Sequence, residues 1–94
     1  MVRPRIPRRI HFEPGATYFK PAGIPLRELK EVVLSFEEGE SLRLKDVEGL
    51  DQKMAATKMS ISQPTFNRTI NSARKKLAEA IIKGKAIKIK TTKE

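Results

Sequence analysis

The chain has 94 residues, of which 38% are hydrophobic, so it supports one small domain and excludes an enzyme-sized interior with a deep cleft. Its 20 Lys and Arg outnumber its 11 Asp and Glu, giving a formal net charge of +9, and the absence of cysteine excludes disulfides and thiolate metal sites. No apolar run approaches the roughly 18 residues that span a bilayer, and the N-terminus lacks the apolar stretch of a signal peptide, so we expect a cytoplasmic protein without a membrane partner.

The positive charge is concentrated at the two ends of the chain. Residues 1–30 contain seven basic and two acidic side chains, residues 31–60 four and seven, and residues 61–94 nine and two. Two basic flanks around an acidic middle favour binding to a polyanion. An ordinary solvated basic surface is the alternative.

Residues 1–25 are predicted to form an extended basic arm, because five of the six prolines fall within the first 30 residues and X-Pro steps disfavour helix. A short strand is predicted at Ala16–Lys20, followed by a turn at residues 21–23. We expect the arm to enter the minor groove of DNA or to follow its phosphates, with a nonspecific basic tail as the alternative. The arginines concerned are Arg3, Arg5, Arg8 and Arg9.

Residues 26–84 are predicted to form a domain of three to four helices. Leu26–Val33 has apolar residues spaced for one helix face and predicts a short first helix. A second helix is predicted at about Phe36–Glu48, because Ser35 and Glu38 have the spacing of a capping box, in which each side chain accepts a hydrogen bond from the other's backbone N–H. A glycine directly after this helix predicts its end.

Within this domain, residues 51–83 predict a helix-turn-helix. Asp51 and Ser62 are each of a residue type that caps a helix start, because their side-chain oxygens accept hydrogen bonds from open backbone N–H groups. The second helix of the motif is predicted at Gln63–Lys83. Pro64 falls in its first turn, where the missing N–H costs little.

The core between the two helices of the motif is predicted from residue size and spacing. Ala55 and Ala56 are small enough to let the helices approach each other, and Met54 and Met59 are expected to pack below them. The second helix has an apolar stripe at steps of three and four residues: Phe66, Ile70, Ala73, Leu77 and Ile81.

Residues 85–94 are predicted to form a basic C-terminal strand or tail. Lys85–Lys90 alternates Lys with Ala or Ile, a period of two that is typical of a half-buried strand. We expect the strands near Tyr18 and Ile87 to pair, which would bring the two ends of the chain to one side.

The outward face of the second helix carries polar side chains that suit the edges of DNA bases, since amides can bond bidentately to adenine and arginine to guanine. Base contacts are predicted for Gln63, Thr65, Asn67, Arg68 and Asn71. Phosphate contacts are predicted for Ser62, Lys53, Lys58, Arg74 and Lys75. A merely solvated polar face is the alternative for the first set, and a solubilising role is the alternative for Arg74 and Lys75.

Two resemblances rest on these segments. Residues 35–81 resemble region 4 of the bacterial sigma factors through S-F-E-E-G-E-S-L-R-L, G-L-D-Q-K-M-A-A, S-I-S-Q-P-T-F and A-R-K-K-L. That resemblance implies a four-helix DNA-binding unit whose last helix reads promoter DNA. The whole chain is similar to a family of small, uncharacterised, predicted DNA-binding proteins through R-P-R-I-P-R-R-I, F-K-P-A-G-I-P, L-R-L-K-D-V-E-G-L, P-T-F-N-R, S-A-R-K-K-L and G-K-A-I-K-I. The chain departs from the pattern at Ser60, where the turn usually has Gly, and at Thr69, where an apolar residue is usual.

Together these features predict a mainly α protein that binds double-stranded DNA sequence-specifically through the major groove, as a transcriptional regulator. One such unit has a limited contact area, so a homodimer on a two-fold site is a further hypothesis. We expect no enzymatic activity, cofactor or small-molecule substrate, because the sequence has no metal-ligand spacing, Gly-rich phosphate loop or paired catalytic carboxylates. The alternatives are an RNA- or ribosome-associated basic protein, and a sigma-like module that binds another protein without reading DNA.

Overall fold

A computed structural model describes residues 14–92 of the chain. Within this range the chain forms a mainly helical domain with three α-helices and one small sheet. In chain order the elements are β1 (Tyr18–Phe19), β2 (Glu31–Leu34), α1 (Phe36–Leu42), α2 (Gln52–Met59), α3 (Gln63–Lys83) and β3 (Ala86–Ile89).

The sheet has three strands in the order β1-β3-β2. In the centre, β3 runs antiparallel to β1, with Phe19 opposite Ile87, and parallel to β2, with Val32 opposite the same Ile87. The predicted pairing of the strands near Tyr18 and Ile87 is therefore confirmed. The added strand β2 matters for stability, because a two-stranded sheet is only marginally stable in water.

The predicted helix at Leu26–Val33 is wrong. Only Leu26–Glu28 is helical, as a single 3-10 turn, and the chain then extends into β2. In β2, Val32 and Leu34 are buried while their neighbours are exposed, which is the alternation of a strand with one face on the core. The same apolar residues also fit a helix face, and the strand prevails because β3, more than 50 residues later in the chain, supplies its backbone hydrogen bonds.

The predicted helix at Phe36–Glu48 is confirmed in extent, but only its first part is α-helical and the rest is a π-helix. After α1, residues Arg43–Val47 form a π-helical turn, in which the Glu48 N–H donates to the Arg43 carbonyl at 2.9 Å. The capping box is present: the Glu38 N–H donates to Ser35 Oγ at 3.1 Å and the Ser35 N–H donates to Glu38 Oε1 at 2.8 Å.

The core lies where α2 and α3 meet the π-helical turn. Its buried members are Leu44, Ala55, Ala56, Met59, Phe66 and Ile70. Ala55 and Ala56 are 0% and 2% exposed, as their small size predicted. Because neither has atoms beyond Cβ, the two helix backbones can approach closely at this crossing.

Two residues predicted for the core are exposed instead. Met54 is 48% exposed, because α2 packs through its alanines and Met59, and Met54 lies beside that face. Ile81 is 74% exposed, while Ala80 is buried. The stripe ends in two steps of four residues, from Ala73 to Leu77 to Ile81. An α-helix has about 3.6 residues per turn, so these steps turn Ile81 away from the core, and Ala80 takes the buried position.

The turn between α2 and α3 contains a residue in the left-handed region, Ser60, with a φ of 61°. A side chain is strained there, so Ser60→Gly is expected to raise the free energy of unfolding by about 0.5–1 kcal/mol, measured by urea denaturation. Ser62→Gly serves as the matched control, because Ser62 has extended backbone and caps α3. This control is expected to lose a few tenths of a kcal/mol, and equal changes in both variants would contradict the prediction.

Candidate functional site

The start of α3 is held in place by local hydrogen bonds. Ser62 is the N-cap of α3, and its Oγ accepts from the Thr65 N–H at 3.2 Å. Asp51 caps α2 in the same way, accepting from the Met54 N–H at 2.7 Å. Both predicted caps are therefore confirmed, and they fix where each helix begins.

The N-terminal half of α3 has one buried side and one exposed polar side. Phe66 and Ile70 anchor the buried side at 0% and 2% exposure. The predicted base-reading residues fall on the exposed side, with Thr65 half-buried at its edge: Gln63, Asn67, Arg68 and Asn71. We call these four residues the polar face.

Thr65 joins the helix cap to this polar face. Its hydroxyl accepts from Ser62 Oγ at 3.0 Å and from Arg68 Nη2 at 3.3 Å. The structure therefore brings three predicted contact residues into one hydrogen-bonded group. This contact holds the Arg68 guanidinium near the first turn of α3.

A second group of hydrogen bonds connects the polar face to α2. Gln52 Nε2 donates to Asn67 Oδ1 at 2.9 Å, and Asn71 Nδ2 lies 3.5 Å from the same oxygen. Sequence reasoning missed Gln52. It is the first residue of α2, 15 positions from Asn67, and only the packing of α2 on α3 brings the two amides together.

The predicted phosphate-binding residues have different surroundings. Lys53 and Lys58 are exposed on α2 and form no ion pair with the described residues, and Lys75 is exposed on α3. Arg74 instead donates to both carboxylate oxygens of Asp46, at 2.6 and 3.1 Å. These hydrogen bonds lower the pKa of Asp46, so the Arg74 guanidinium already has a partner within the protein.

The arginines of the N-terminal arm, Arg3, Arg5, Arg8 and Arg9, lie outside the described residues. Within residues 14–92, no cluster of His, Asp or Glu is placed to bind a metal ion. No helix in that range combines the length and the apolar character needed to cross a bilayer.

Comparison with known proteins identifies relatives along almost the whole chain. The model of a family described as "Protein of unknown function DUF134" matches residues 1–93. A UPF0251 protein of Moorella thermoacetica is 60% identical over 89 residues, which cover 95% of this chain and 60% of the relative. A UPF0251 protein of Halothermothrix orenii is 54% identical over 94% of this chain and 65% of its own length. A UPF0251 protein of Dehalococcoides mccartyi is 56% identical over 95% of this chain and 76% of its own length.

The chain thus spans less than two thirds of the length of the first two of these relatives. No solved structure matches the chain.

Proposed function

This chain belongs to the family of proteins of unknown function DUF134, and we propose that it binds double-stranded DNA sequence-specifically through the major groove, as a transcriptional regulator. The observation that carries the proposal is the polar face of α3. It consists of three amides and one guanidinium on the exposed side of a helix whose opposite side is buried. These are the side chains that pair with adenine and guanine edges in a major groove.

The arrangement around this face also supports the proposal. A short helix, α2, packs on α3 through two alanines, and a turn of three residues separates the helices. We interpret the pair as a helix-turn-helix similar to that of sigma factor region 4, with α3 as the recognition helix. In that motif the N-terminal part of the second helix contacts the bases, and the polar face lies in that part of α3.

Exposed lysines beside the face would supply the affinity that does not depend on sequence. The exposed Lys53 and Lys75 would contact phosphates, while the arm arginines would follow the backbone or the minor groove. Arg74 would have to leave Asp46 to contribute. Two copies on a two-fold site would double the contact area, and their half-sites would lie about 10 base pairs apart or a multiple of that spacing.

Selection from a random duplex pool tests the proposal directly. The full chain is expected to enrich one short motif at physiological salt, and its affinity is expected to fall steeply between about 50 and 200 mM salt as counterions return to the DNA. Absence of any enriched motif would contradict sequence-specific binding. Binding that is equally tight to a structured RNA of the same length would favour the RNA-associated alternative instead.

Two substitutions separate base reading from phosphate binding on the same helix. Arg68→Ala is expected to weaken binding to the selected duplex by about 1–3 kcal/mol and to relax the preference at one base pair. Lys75→Ala is expected to weaken binding to all sequences similarly and to reduce the salt dependence by about one phosphate contact. The measurement is a fluorescence titration at several salt concentrations, and an unchanged base preference in Arg68→Ala would remove that residue from the reading set.

A further inference from the structure

We propose that Gln52 orients the amide of Asn67 and thereby sets which base Asn67 reads, an inference that rests on the DNA binding proposed above. Gln52 Nε2 donates to Asn67 Oδ1 at 2.9 Å, across the contact between α2 and α3. The amide group is planar, with its oxygen and nitrogen on different sides. Because the oxygen is directed towards Gln52, the two Nδ2 hydrogens are available on the outward side.

The remaining lone pair of the same oxygen has a neighbour as well. Asn71 Nδ2 lies 3.5 Å from Asn67 Oδ1, at the outer limit of a hydrogen bond. A carbonyl oxygen has two lone pairs; Gln52 occupies one, and Asn71 is a second, weaker donor to the same oxygen. In this arrangement Asn67 therefore presents donors to a ligand and no acceptor.

This orientation changes the base that Asn67 is expected to prefer. A bidentate contact with adenine needs the amide oxygen to accept from N6 while the amide nitrogen donates to N7. A donor-only amide would instead meet the N6 hydrogens of adenine with its own hydrogens. Guanine presents the N7 and O6 acceptors side by side and fits the donors of Asn67, so the structure favours guanine over adenine at this position.

Gln52 is thus a positioning residue, and its effect is expected in the base preference rather than in folding. It is exposed enough to be replaced without opening the core, and it stands at the first position of α2, after the cap Asp51. Gln52→Ala removes the donor and frees the Asn67 oxygen. Gln52→Glu replaces the amide by a carboxylate, which only accepts, so that Asn67 is expected to turn its nitrogen inward and its oxygen outward.

The experiment is selection from a random duplex pool with the wild type and both Gln52 variants, followed by titration of the selected duplex and its single-base variants. For the wild type we expect guanine to be favoured over adenine at one position by at least about five-fold. Gln52→Ala should bring that ratio close to one, and Gln52→Glu should reverse it towards adenine or cytosine, whose exocyclic amines donate. Thr57→Ala is the matched control, because the exposed Thr57 hydroxyl donates within α2, to the Lys53 carbonyl.

The outcomes distinguish this inference from the proposed function. A shift at one position in both Gln52 variants, with unchanged motifs for Thr57→Ala and thermal midpoints within a few degrees of the wild type, supports it. A wild-type motif that survives both Gln52 substitutions overturns the role of Gln52 and leaves DNA binding intact. If the wild type enriches no motif at all, both proposals fail together.

Discussion

Replacing Phe66 by Ala is expected to lower the free energy of unfolding by about 3–5 kcal/mol, a large share of the stability of a domain this small. Phe66 is 0% exposed and is the largest fully buried side chain of the described residues. Phe66 belongs to the same buried cluster as Leu44, Ala55 and Met59. Truncation to Ala therefore removes buried apolar area and leaves a cavity in the core. Chemical denaturation followed by circular dichroism measures the loss.

Phe19→Ala is the matched control for that substitution. Phe19 is 51% exposed, on the short edge strand β1, so the same change of side chain should cost about 1 kcal/mol or less. A similar loss in both variants would mean that the core between α2 and α3 does not dominate the stability of the domain. Because Phe66 lies on the side of α3 opposite the polar face, Phe66→Ala is also expected to weaken the proposed DNA binding under conditions in which the domain is partly unfolded.

Glu38→Gln is expected to cost about 3 kcal/mol at neutral pH, because it replaces a buried charge that several groups stabilise. Glu38 is 7% exposed and closes the capping box of α1. Its carboxylate also accepts from Lys76 Nζ at 2.8 Å and from the Ser72 hydroxyl, so it joins α1 to α3. Removing the charge leaves Lys76 without its carboxylate partner and weakens that connection.

The cost of Glu38→Gln should depend on pH with a definite sign. Burial acts to raise the pKa of Glu38, but hydrogen bonds from Lys76, Ser72 and the Ser35 backbone outweigh it and lower the pKa. A carboxyl group whose pKa is lowered by folding stabilises the protein above its unfolded pKa of about 4.3, and that stabilisation is lost as the pH falls through the lower folded pKa. The difference between wild type and variant should therefore be largest near neutrality and shrink under acid.

Glu28→Gln is the control, because Glu28 is exposed on the single 3-10 turn and forms no side-chain ion pair with the described residues. At each pH from neutral to acidic, the unfolding midpoint of Glu28→Gln should lie close to that of the wild type. Lys76→Met should cost much less in the Glu38→Gln background than in the wild type, since the two residues share one interaction. Strictly additive losses would show that the ion pair contributes nothing.

Local signals in the sequence predicted the three α-helices and two of the three strands, but not β2. Ser35 with Glu38, Asp51 and Ser62 mark three helix starts, because a cap is a contact between residues only three apart. The strand β2 was missed for the opposite reason, since its hydrogen-bonding partner lies at the far end of the chain.

In the candidate site, too, some features could be predicted from local patterns and others depend on contacts between distant segments. The polar face of α3 follows from residue type and helical period, and those residues do share one exposed side. Which of the predicted contact residues already have a partner within the protein could not be predicted, because Arg74 bonds to Asp46 and Asn67 to Gln52 across elements that only the fold brings together.

Short-range patterns in the sequence thus predicted three helix starts, the close contact between α2 and α3 through small alanines and the clusters of basic charge, because each depends on residue types within a few positions of one another. The fold was needed to reveal β2 and its place in the sheet, the exposure of Met54 and Ile81, and the hydrogen bond of the Asn67 amide. Each of these depends on atoms contributed by a distant segment, and no pattern within one segment encodes the position of another.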